Sequence, residues 1–429
     1  MKRGFLNSSK VKKEPLYPGP SARQSASDEP LADTKSTDGK PELQDVVEPI
    51  HKLPYGKVEK TALPESYKPI QYALKETDAG KIDHGKNTIV MTTIPSRTYS
   101  GPLDPDGHSE WIVLGPTKAK VLNAPGYPKP LPKPVGPTSY EIQSTPGMGL
   151  GVFATRDIKS GDLVFSERPL LVSPRNIGVL GIPYTEGSDM KAYRAKMMFE
   201  WEKQLEIAVG RMTPENQVAF KSLINNHTED GSGPLLGIIR TNGYGADDLF
   251  DGEMKLPGNP TAYSCVINIG SRINHSCMPN VTHNFNLASF SFQFVAERDI
   301  TAGEQLFISY CELDQTAAER KAELAPYEFV CVCPACANAT PETDKLRKEY
   351  KQRIKDFMPK VPRWAAAPSV ADGVIDPVLQ LREAMKKEGL HGSTEYRNLT
   401  TLILTFYERR GLHEKAKPFK EETSRYGNF

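Results

Sequence analysis

The sequence predicts a mainly β domain with inserted helices, followed by a short α-helical region and preceded by a disordered tail. Glycine turns and alternating apolar residues, which are typical of strands, occur at 145–165 and again at 303–310. A helical spacing of apolar residues interrupts them near residue 200, and a longer helical pattern begins after residue 345. The chain of 429 residues exceeds what one hydrophobic core usually supports, which favours more than one folded unit.

Residues 1–135 are expected to be mostly disordered. They hold 18 of the chain's 36 prolines and no cysteine. Such a segment cannot bury enough apolar surface to offset its chain entropy. It ends in a Pro-rich run at 124–134, which we predict to be extended and stiff. One short apolar run, at 111–114, is a candidate for docking as an edge strand.

The formal net charge of +1 gives no global field that would attract nucleic acid or an anionic membrane, although a local patch stays open. No apolar run approaches the length of a membrane span, and the first residues lack the hydrophobic region of a secretory signal. We therefore predict a soluble protein of the nucleus, the cytoplasm or both, with no membrane partner and no direct nucleic-acid binding. The lysine cluster at 10–13 is either a nuclear import signal or an ordinary tail sequence.

The start of the domain is predicted to be a β-meander. A glycine-rich run at 145–154 precedes an alternating apolar pattern at 156–165, and Ser160 and Gly161 supply a turn between two strands. Taken alone, the glycine cluster is compatible with a tight turn that binds nothing.

Two parts of the chain have helical patterns. Residues 190–221 are rich in Ala, Met, Lys, Glu and Leu, and their apolar positions fit one helical face. After residue 345, three more helices are predicted, the first of them ended by Pro359. The predicted C-terminal helices span 345–358, 377–388 and 393–410.

The cysteines favour a metal site over a disulfide framework. All six fall between 265 and 336, and Cys331, Cys333 and Cys336 form a C-x-C-x2-C pattern that can supply three ligands of a tetrahedral zinc site. A redox pair at Cys333 and Cys336, or ordinary buried thiols, are the alternatives. Cys265 and Cys311 have no partner in the sequence, so we expect them to be small core residues.

Three motifs in this order resemble the SET domain of lysine methyltransferases: the NHSCMPN run ending at residue 280, the strand at 307–310 and the cysteine cluster. The resemblance implies a β-clip fold with a pseudoknot at 138–312 and a helical insertion at about 185–235. A post-SET zinc segment at 313–338 and a helical region at 345–429 follow. Among SET proteins the chain is similar to the SET-and-MYND group, but its insertion has no cysteine, so the MYND finger is absent and no partner of that finger is expected.

The resemblance also assigns roles to individual residues. Tyr310, at the end of its strand, corresponds to the catalytic tyrosine, and Cys277 corresponds to the fourth zinc ligand. The segment at 238–245 resembles the TNxFG element, which places an asparagine at the cofactor and an aromatic residue in the substrate channel. The implied channel residues are Tyr244 and Tyr327. The implied S-adenosylmethionine-binding residues are Gly147, Met148, Gly149, Asn242, Ser271, Ile273, Asn274, His275, Tyr310 and Phe329.

The predicted function is S-adenosylmethionine-dependent methylation of a lysine ε-amine in a histone or another protein, by a monomer with a structural zinc. Methyl transfer requires in-line alignment, exclusion of water and a neutral lysine. Two alternatives remain at this stage. One is a catalytically weak SET module that binds a protein or chromatin partner; the other is a methyltransferase that uses the same site on a small molecule or a non-histone protein.

Overall fold

The computed structural model describes residues 67–69, 81–85, 88–96, 103–175, 189–228, 230–246, 249 and 262–425. The lysine cluster at 10–13 lies outside these residues. Within them, strands and helices build three large apolar clusters: one in the mainly β part, one around the inserted helices and one in the C-terminal helices. None of the described helices is long and apolar enough to cross a membrane.

The strands form four small sheets. Five strands form one sheet in the order β1-β2-β6-β8-β7, three form another in the order β10-β11-β5, and two strand pairs, β3 with β4 and β9 with β12, stand apart. The strands are β1 (Ile89–Ile94), β2 (Ser109–Leu114), β3 (Tyr140–Thr145), β4 (Gly149–Ala154), β5 (Leu163–Glu167), β6 (Leu171–Pro174), β7 (Tyr244–Gly245), β8 (Tyr263–Val266), β9 (Asn274–His275), β10 (Val281–Asn286), β11 (Ser291–Ala296) and β12 (Phe307–Ile308).

The helices comprise α1, which follows β2, an inserted group at 190–242 and a group after residue 316. The described helices are α1 (Gly115–Leu122), α2 (Met190–Arg211), α3 (Pro214–Lys221), α4 (Pro234–Asn242), α5 (Ala317–Leu324), α6 (Pro334–Ala337), α7 (Pro341–Phe357), α8 (Lys360–Ala366), α9 (Asp376–Lys387), α10 (Thr394–Arg409) and α11 (His413–Ser424).

The end of the predicted N-terminal tail is part of the folded core, so the prediction of disorder up to residue 135 was wrong there. Strand β2 pairs with β1 on one side and with β6 on the other, so the run at 111–114 is an interior strand and β1 is the edge. Trp111 is fully buried and stacks on Phe290, with ring centroids 4.1 Å apart. The Pro-rich run also packs on the domain, since the Lys129 N–H donates to the Ala288 carbonyl at 2.8 Å.

We expect the substitution Trp111→Ala to lower the free energy of unfolding by about 3–5 kcal/mol, because it removes the largest fully buried side chain and leaves a cavity beside Phe290. Denaturant titration measures this effect. Leu103→Ala is the control, since Leu103 is 60% exposed in the same part of the chain and its loss should change stability by about 0.5 kcal/mol or less. Equal small effects of both substitutions would contradict a core role for β2.

The predicted β-meander was also wrong, because the two strands pair with different partners. Strand β4 pairs with β3 in a hairpin, whereas β5 pairs with β11 in the three-stranded sheet. The free edge of β4 instead meets the chain just before β12, through a bridge from Phe153 to Gln305. This arrangement brings the glycine turn between β3 and β4 close to the two-stranded β9-β12 sheet.

The insertion contains the predicted long helix. In α2 the apolar stripe is buried at Met197, Trp201 and Leu205. The carboxylate of Glu202, on the same helix, accepts hydrogen bonds from the N–H groups of Leu235 and Leu236, at 2.9 and 3.0 Å. It thereby satisfies the first turn of α4, whose own N-cap residue is a glycine. Because α4 ends at Asn242, the insertion fixes one wall of the site described below.

The C-terminal helices form their own core, and α7, α9 and α10 match the predicted helices to within a few residues. The sequence prediction missed α8 and α11. Both contain a proline, Pro362 and Pro418, which indicates a helix end when read in sequence alone. Pro362 lies in the first turn of α8, where a missing N–H breaks no helical hydrogen bond.

Candidate active site

Two segments far apart in sequence are interleaved at the centre of the mainly β part. Strand β9 pairs in parallel with β12, with Asn274 opposite Phe307. The side chain of Asn280, which is fully buried, accepts from the Phe307 N–H at 2.7 Å and donates to the Gln305 carbonyl at 2.9 Å. These bonds align the NHSCMPN loop with the strand that ends at Tyr310.

A cavity of about 350 Å³ lies beside this pairing, within the size range of small-molecule sites. It is lined by four separate parts of the chain: the β3-β4 turn, the insertion, the NHSCMPN loop, and the region around Tyr310 and the cysteines. All but two of the sequence-predicted cofactor and channel residues line it. The predicted residues in its wall are Gly147, Met148, Gly149, Asn242, Ser271, Asn274, His275, Tyr310, Tyr327 and Phe329.

The glycine turn needs glycine for its backbone conformation. Gly147 and Gly149 have φ values of +73° and +70°, a region that side-chain-bearing residues rarely adopt. A Cβ at Gly147 would meet no atom within 4 Å, and one at Gly149 would touch only Ile224. The conformation, and not a steric clash in this structure, therefore favours glycine at these positions.

Polar groups converge on the cavity from the NHSCMPN loop and from α4. The Asn274 amide donates to the Leu150 carbonyl at 3.1 Å, which ties the loop to β4. Asn242 donates from its amide nitrogen to the carbonyls of Ile224 and Ile238, at 2.7 and 2.9 Å, so its rotamer is fixed. The Ser271 hydroxyl is buried at the cavity wall and has no hydrogen-bond partner among the residues that the structure describes. A buried hydroxyl without a partner fits a site built for a polar ligand.

His275 connects the cavity to the cysteine cluster. Its Nδ1 accepts a hydrogen bond from the Tyr310 N–H at 2.9 Å, so this nitrogen carries no proton. In the neutral ring the proton is then on Nε2, which lies 3.2 Å from the Cys277 sulfur. The imidazole is thus oriented from both sides, and a change at Cys277 would reach the backbone of Tyr310 through one ring.

Three aromatic rings surround the end of β12. The ring centroid of Tyr310 lies 5.0 Å from that of Tyr327 and 6.4 Å from that of Phe329. The Tyr310 hydroxyl donates to the Ile273 carbonyl at 2.6 Å. The alternation of Tyr327 and Phe329 in the sequence predicts that both lie on one face of an extended segment, and this prediction was wrong. Glu328 between them has φ +57°, and this left-handed residue brings both rings to the same cavity.

Two sequence-predicted residues lie outside the cavity wall. Ile273 is fully buried, and its carbonyl accepts the Tyr310 hydroxyl instead of facing the cavity. Tyr244 is also fully buried; its hydroxyl donates to the Gly270 carbonyl at 2.7 Å, and its ring packs against Phe292 and Phe294. In this structure Tyr244 is therefore a support for the loop before Ser271 and not an exposed channel wall.

Comparison with protein families decides what this arrangement is. Residues 149–311 match the family model described as SET domain, and this range includes β4, the insertion, the NHSCMPN loop and Tyr310. The chain carries a SET domain. Its relatives include proteins named histone-lysine and protein-lysine methyltransferases, among them members of the SET-and-MYND group.

Two curated relatives illustrate the similarity. The chain is 30% identical over 219 residues to histone-lysine N-methyltransferase set5 of Schizosaccharomyces pombe, a match covering 51% of this chain and 56% of the relative. It is 43% identical over 83 residues to SET domain and MYND-type zinc finger protein 6 of the same yeast, covering 19% and 17%. The chain thus spans about half the length of the first relative and much less of the second.

Among solved structures, the Neurospora SET domain protein DIM-5, a histone lysine methyltransferase, matches 40% of this chain and 52% of its own, at 14% identity and a TM-score of 0.21. A score this low supports no conclusion.

Several residues that line the SET domain cavity were not predicted from the sequence. They come mainly from the insertion, whose loop after α3 reaches both the NHSCMPN loop and the segment before the cysteines. The Asn226 amide donates to the Tyr327 carbonyl at 2.8 Å, and Arg272 donates to the Ser222 hydroxyl at 2.8 Å. No local motif marks such residues. The cavity residues that were not predicted are Leu150, Ser222, Leu223, Ile224, Asn226, Thr241, Arg272 and Glu328.

The turn before Ser271 is held by a buried carboxyl group. The N–H groups of Asn268, Ile269 and Gly270 all donate to Glu167 at the end of β5, at 3.0, 3.0 and 2.6 Å. Complete burial raises the pKa of Glu167 to about 7, although the three donors oppose this shift. Glu167 and Tyr244 thus hold opposite polar groups of Gly270, the N–H and the carbonyl, and fix the turn that leads into Ser271 and the NHSCMPN loop.

We expect Glu167→Gln to weaken the pH dependence of stability. A carboxyl group whose pKa rises from 4.5 unfolded to about 7 folded contributes stability that is complete below pH 4.5 and is lost as the pH rises through 7. Glutamine keeps the shape and an acceptor oxygen but does not titrate. Unfolding titrations between pH 4.5 and 7.5 should show the wild type losing about 1–3 kcal/mol more than the variant. Parallel curves would contradict the raised pKa.

Four cysteines lie together beside the SET domain cavity. Cys277 from the NHSCMPN loop comes within 4.0 Å of the Cys331 sulfur and 3.5 Å of the Cys336 sulfur, and the sulfur of Cys333 completes a group within 4.8 Å. A tetrahedral Zn–S₄ centre with 2.3 Å bonds has sulfur–sulfur edges of about 3.8 Å. The four sulfurs therefore fit a zinc ion. Cys265 is buried in β8, and burial raises the pKa of its thiol.

Proposed function

We propose that this chain is an S-adenosylmethionine-dependent protein-lysine N-methyltransferase with a structural zinc. The observation that carries the proposal is the single cavity at which the glycine turn, Asn274, His275 and Tyr310 meet, although they come from three separated segments. The range that matches the SET domain model includes Gly149, Asn274, His275 and Tyr310. Relatives named lysine methyltransferases support the same activity.

The residues present fit S-adenosylmethionine. Asn274 and His275 would hold its amino-acid and adenine groups, the unpartnered Ser271 hydroxyl offers a further hydrogen bond, and the Gly147–Gly149 turn would approach it with backbone groups. Phe329, which is half-buried beside His275, would cover the adenine ring of the cofactor. When bound, the cofactor supplies an electrophilic methyl group on a sulfonium.

The residues around Tyr310 would bind the substrate lysine and align it for methyl transfer. A lysine with an ordinary pKa near 10.4 is almost fully charged at neutral pH, so it must lose a proton before it can attack. The rings of Tyr310 and Tyr327 exclude water, and desolvation favours the neutral amine. The Tyr310 hydroxyl, fixed by its bond to the Ile273 carbonyl, aligns the reacting groups. The proton leaves to water.

The zinc would be bound by Cys277, Cys331, Cys333 and Cys336, which joins the post-SET segment at 313–338 to the domain at 138–312. Its role is structural, because four thiolates leave no open position for a substrate. The C-terminal helices from residue 345 onward would form a separate unit that covers one side of the site. We infer a protein substrate, acted on in the nucleus or the cytoplasm.

A methyl-transfer assay tests the proposal. The purified chain is incubated with S-adenosylmethionine labelled in the methyl group and with a panel of histones and fractionated cell proteins. We expect label in at least one protein, located on a lysine by mass spectrometry. Absence of label on every panel protein, from enzyme that binds the cofactor and contains zinc, would instead favour a SET module that acts by binding.

A further inference from the structure

Arg320 on α5 is a buried cation whose surroundings differ from those of the other buried arginines. Arg320 is fully buried. Four other arginines are also buried, each with at most 9% of its surface exposed: Arg168, Arg240, Arg347 and Arg382. Each of these four forms an ion pair with a carboxylate. The pairs are Arg168 with Asp104, Arg240 with Asp230, Arg347 with Glu388, and Arg382 with Glu383 and Glu422.

Arg320 has no carboxylate within ion-pair distance among the residues that the structure describes. Its guanidinium donates instead to the carbonyls of Gln315, at 2.6 Å, and Ala335, at 3.1 Å, and to the Cys336 sulfur at 3.7 Å. A charge buried without a counter-ion is strongly destabilising. The counter-charge must therefore come from the cysteine cluster.

The charge of a zinc centre fits this requirement. Four thiolates around one Zn²⁺ leave about two units of excess negative charge, and two of these sulfurs, on Cys277 and Cys336, act on Arg320 electrostatically. Hydrogen bonds to ligand atoms are known to tune metal affinity in proteins. The Ala335 carbonyl, which Arg320 also binds, lies next to a ligand in the same short helix.

From this geometry we infer that Arg320 is a positioning residue of the zinc centre, which compensates the negative charge of the thiolates and orients the Cys333–Cys336 loop through Ala335 and Cys336. The role rests on the zinc site proposed above, but not on methyl transfer. With this role of Arg320, helix α5 contributes to the metal centre although it lies outside the range that matches the SET domain model.

The test compares Arg320→Gln with Arg320→Lys in the full chain loaded with zinc. Zinc release to excess chromophoric chelator is followed by absorbance, and the cobalt-loaded forms are compared by their sulfur-to-metal charge-transfer bands. We expect glutamine, which is neutral, to speed zinc release about 10-fold or more and to shift the cobalt bands. Lysine keeps the positive charge but loses the planar donor fork of arginine, so we expect its release rate to stay within about 3-fold of the wild type, well below that of glutamine.

Arg382→Gln is the matched control, because Arg382 is also a buried arginine but belongs to the C-terminal helices. It should lower thermal stability and leave zinc release unchanged. Wild-type release rates in a folded Arg320→Gln protein would overturn the inference, as would equal losses in the glutamine and lysine variants. If the glutamine variant does not fold, rapid release from the lysine variant overturns it. A wild-type chain that binds neither zinc nor cobalt would refute the metal centre itself, whatever the methyl-transfer assay gives.

Discussion

Replacing Tyr310 by phenylalanine should lower the turnover number for methyl transfer by about 100-fold or more. The substitution removes one hydroxyl, which donates to the Ile273 carbonyl at 2.6 Å and fixes the ring between His275 and Tyr327. The backbone N–H of Tyr310 still donates to His275, so the cofactor loop keeps its support. Cofactor affinity and zinc content should therefore change little, and the loss should fall on kcat.

Single-turnover transfer of labelled methyl groups and a separate cofactor titration measure the two effects. Tyr350→Phe is the control, because Tyr350 is equally buried but lies in α7 of the C-terminal helices. It should leave turnover unchanged. A Tyr310→Phe enzyme that turns over at the wild-type rate would show that another group aligns the lysine.

Replacing Cys277 by serine should remove most of the zinc and weaken cofactor binding about 10-fold or more. Binding of a structural zinc is worth about 10–16 kcal/mol, and a hydroxyl is a poor replacement for a thiolate ligand. Cys277 is also the only one of the four ligands that lies in the NHSCMPN loop, two residues from His275. Without the thiolate ligand the loop is no longer tied to the post-SET segment, and the contact of the His275 Nε2 with the Cys277 sulfur is lost.

Zinc stoichiometry by atomic emission and cofactor affinity by calorimetry check this expectation. Cys265→Ser makes the same chemical change in a fully buried cysteine of β8 and should reduce stability without loss of zinc. If Cys277→Ser lost its zinc and still bound the cofactor like the wild type, the proposed link between metal and cavity would be wrong.

Local patterns sufficed for some elements. The apolar stripe of α2 repeats along one face from Met197 to Val209, which is typical of a helix, and the strand before Tyr310 alternates within a motif whose order along the chain is distinctive. The spacing of Cys331, Cys333 and Cys336 was enough to predict them as zinc ligands. Cys277, 54 residues earlier than Cys331, could be added only through the family resemblance.

Other features depend on partners far away in the sequence. Nothing near β2 indicates that it lies between β1 and β6, because pairing with β6 requires residues about 60 positions later. The same reason explains why the partner of β5 is β11 and not β4. Tyr244 lies where an aromatic channel residue was expected, but its hydroxyl finds the Gly270 carbonyl, a bond that no sequence pattern encodes.

The C-terminal helices are also joined to the site in a way that sequence did not indicate. Arg347 on α7 donates to the Cys277 carbonyl at 3.3 Å and pairs with Glu388 at 2.9 Å. Gly389, with φ +68°, packs so closely on Met278 that a Cβ would lie 2.6 Å from its side chain. Both contacts hold the NHSCMPN loop at Cys277 and Met278, two residues that do not line the cavity.

The most direct test is a calorimetric titration of the zinc-loaded wild-type chain with S-adenosylmethionine and S-adenosylhomocysteine, repeated with Asn274→Ala. We expect one site per chain for both ligands, and affinity at least about 10-fold weaker in the variant, because the cavity would lose a side chain that links the NHSCMPN loop to β4. A folded, zinc-loaded wild type that binds neither ligand would contradict the assignment of the cavity, and with it the proposed methyltransferase.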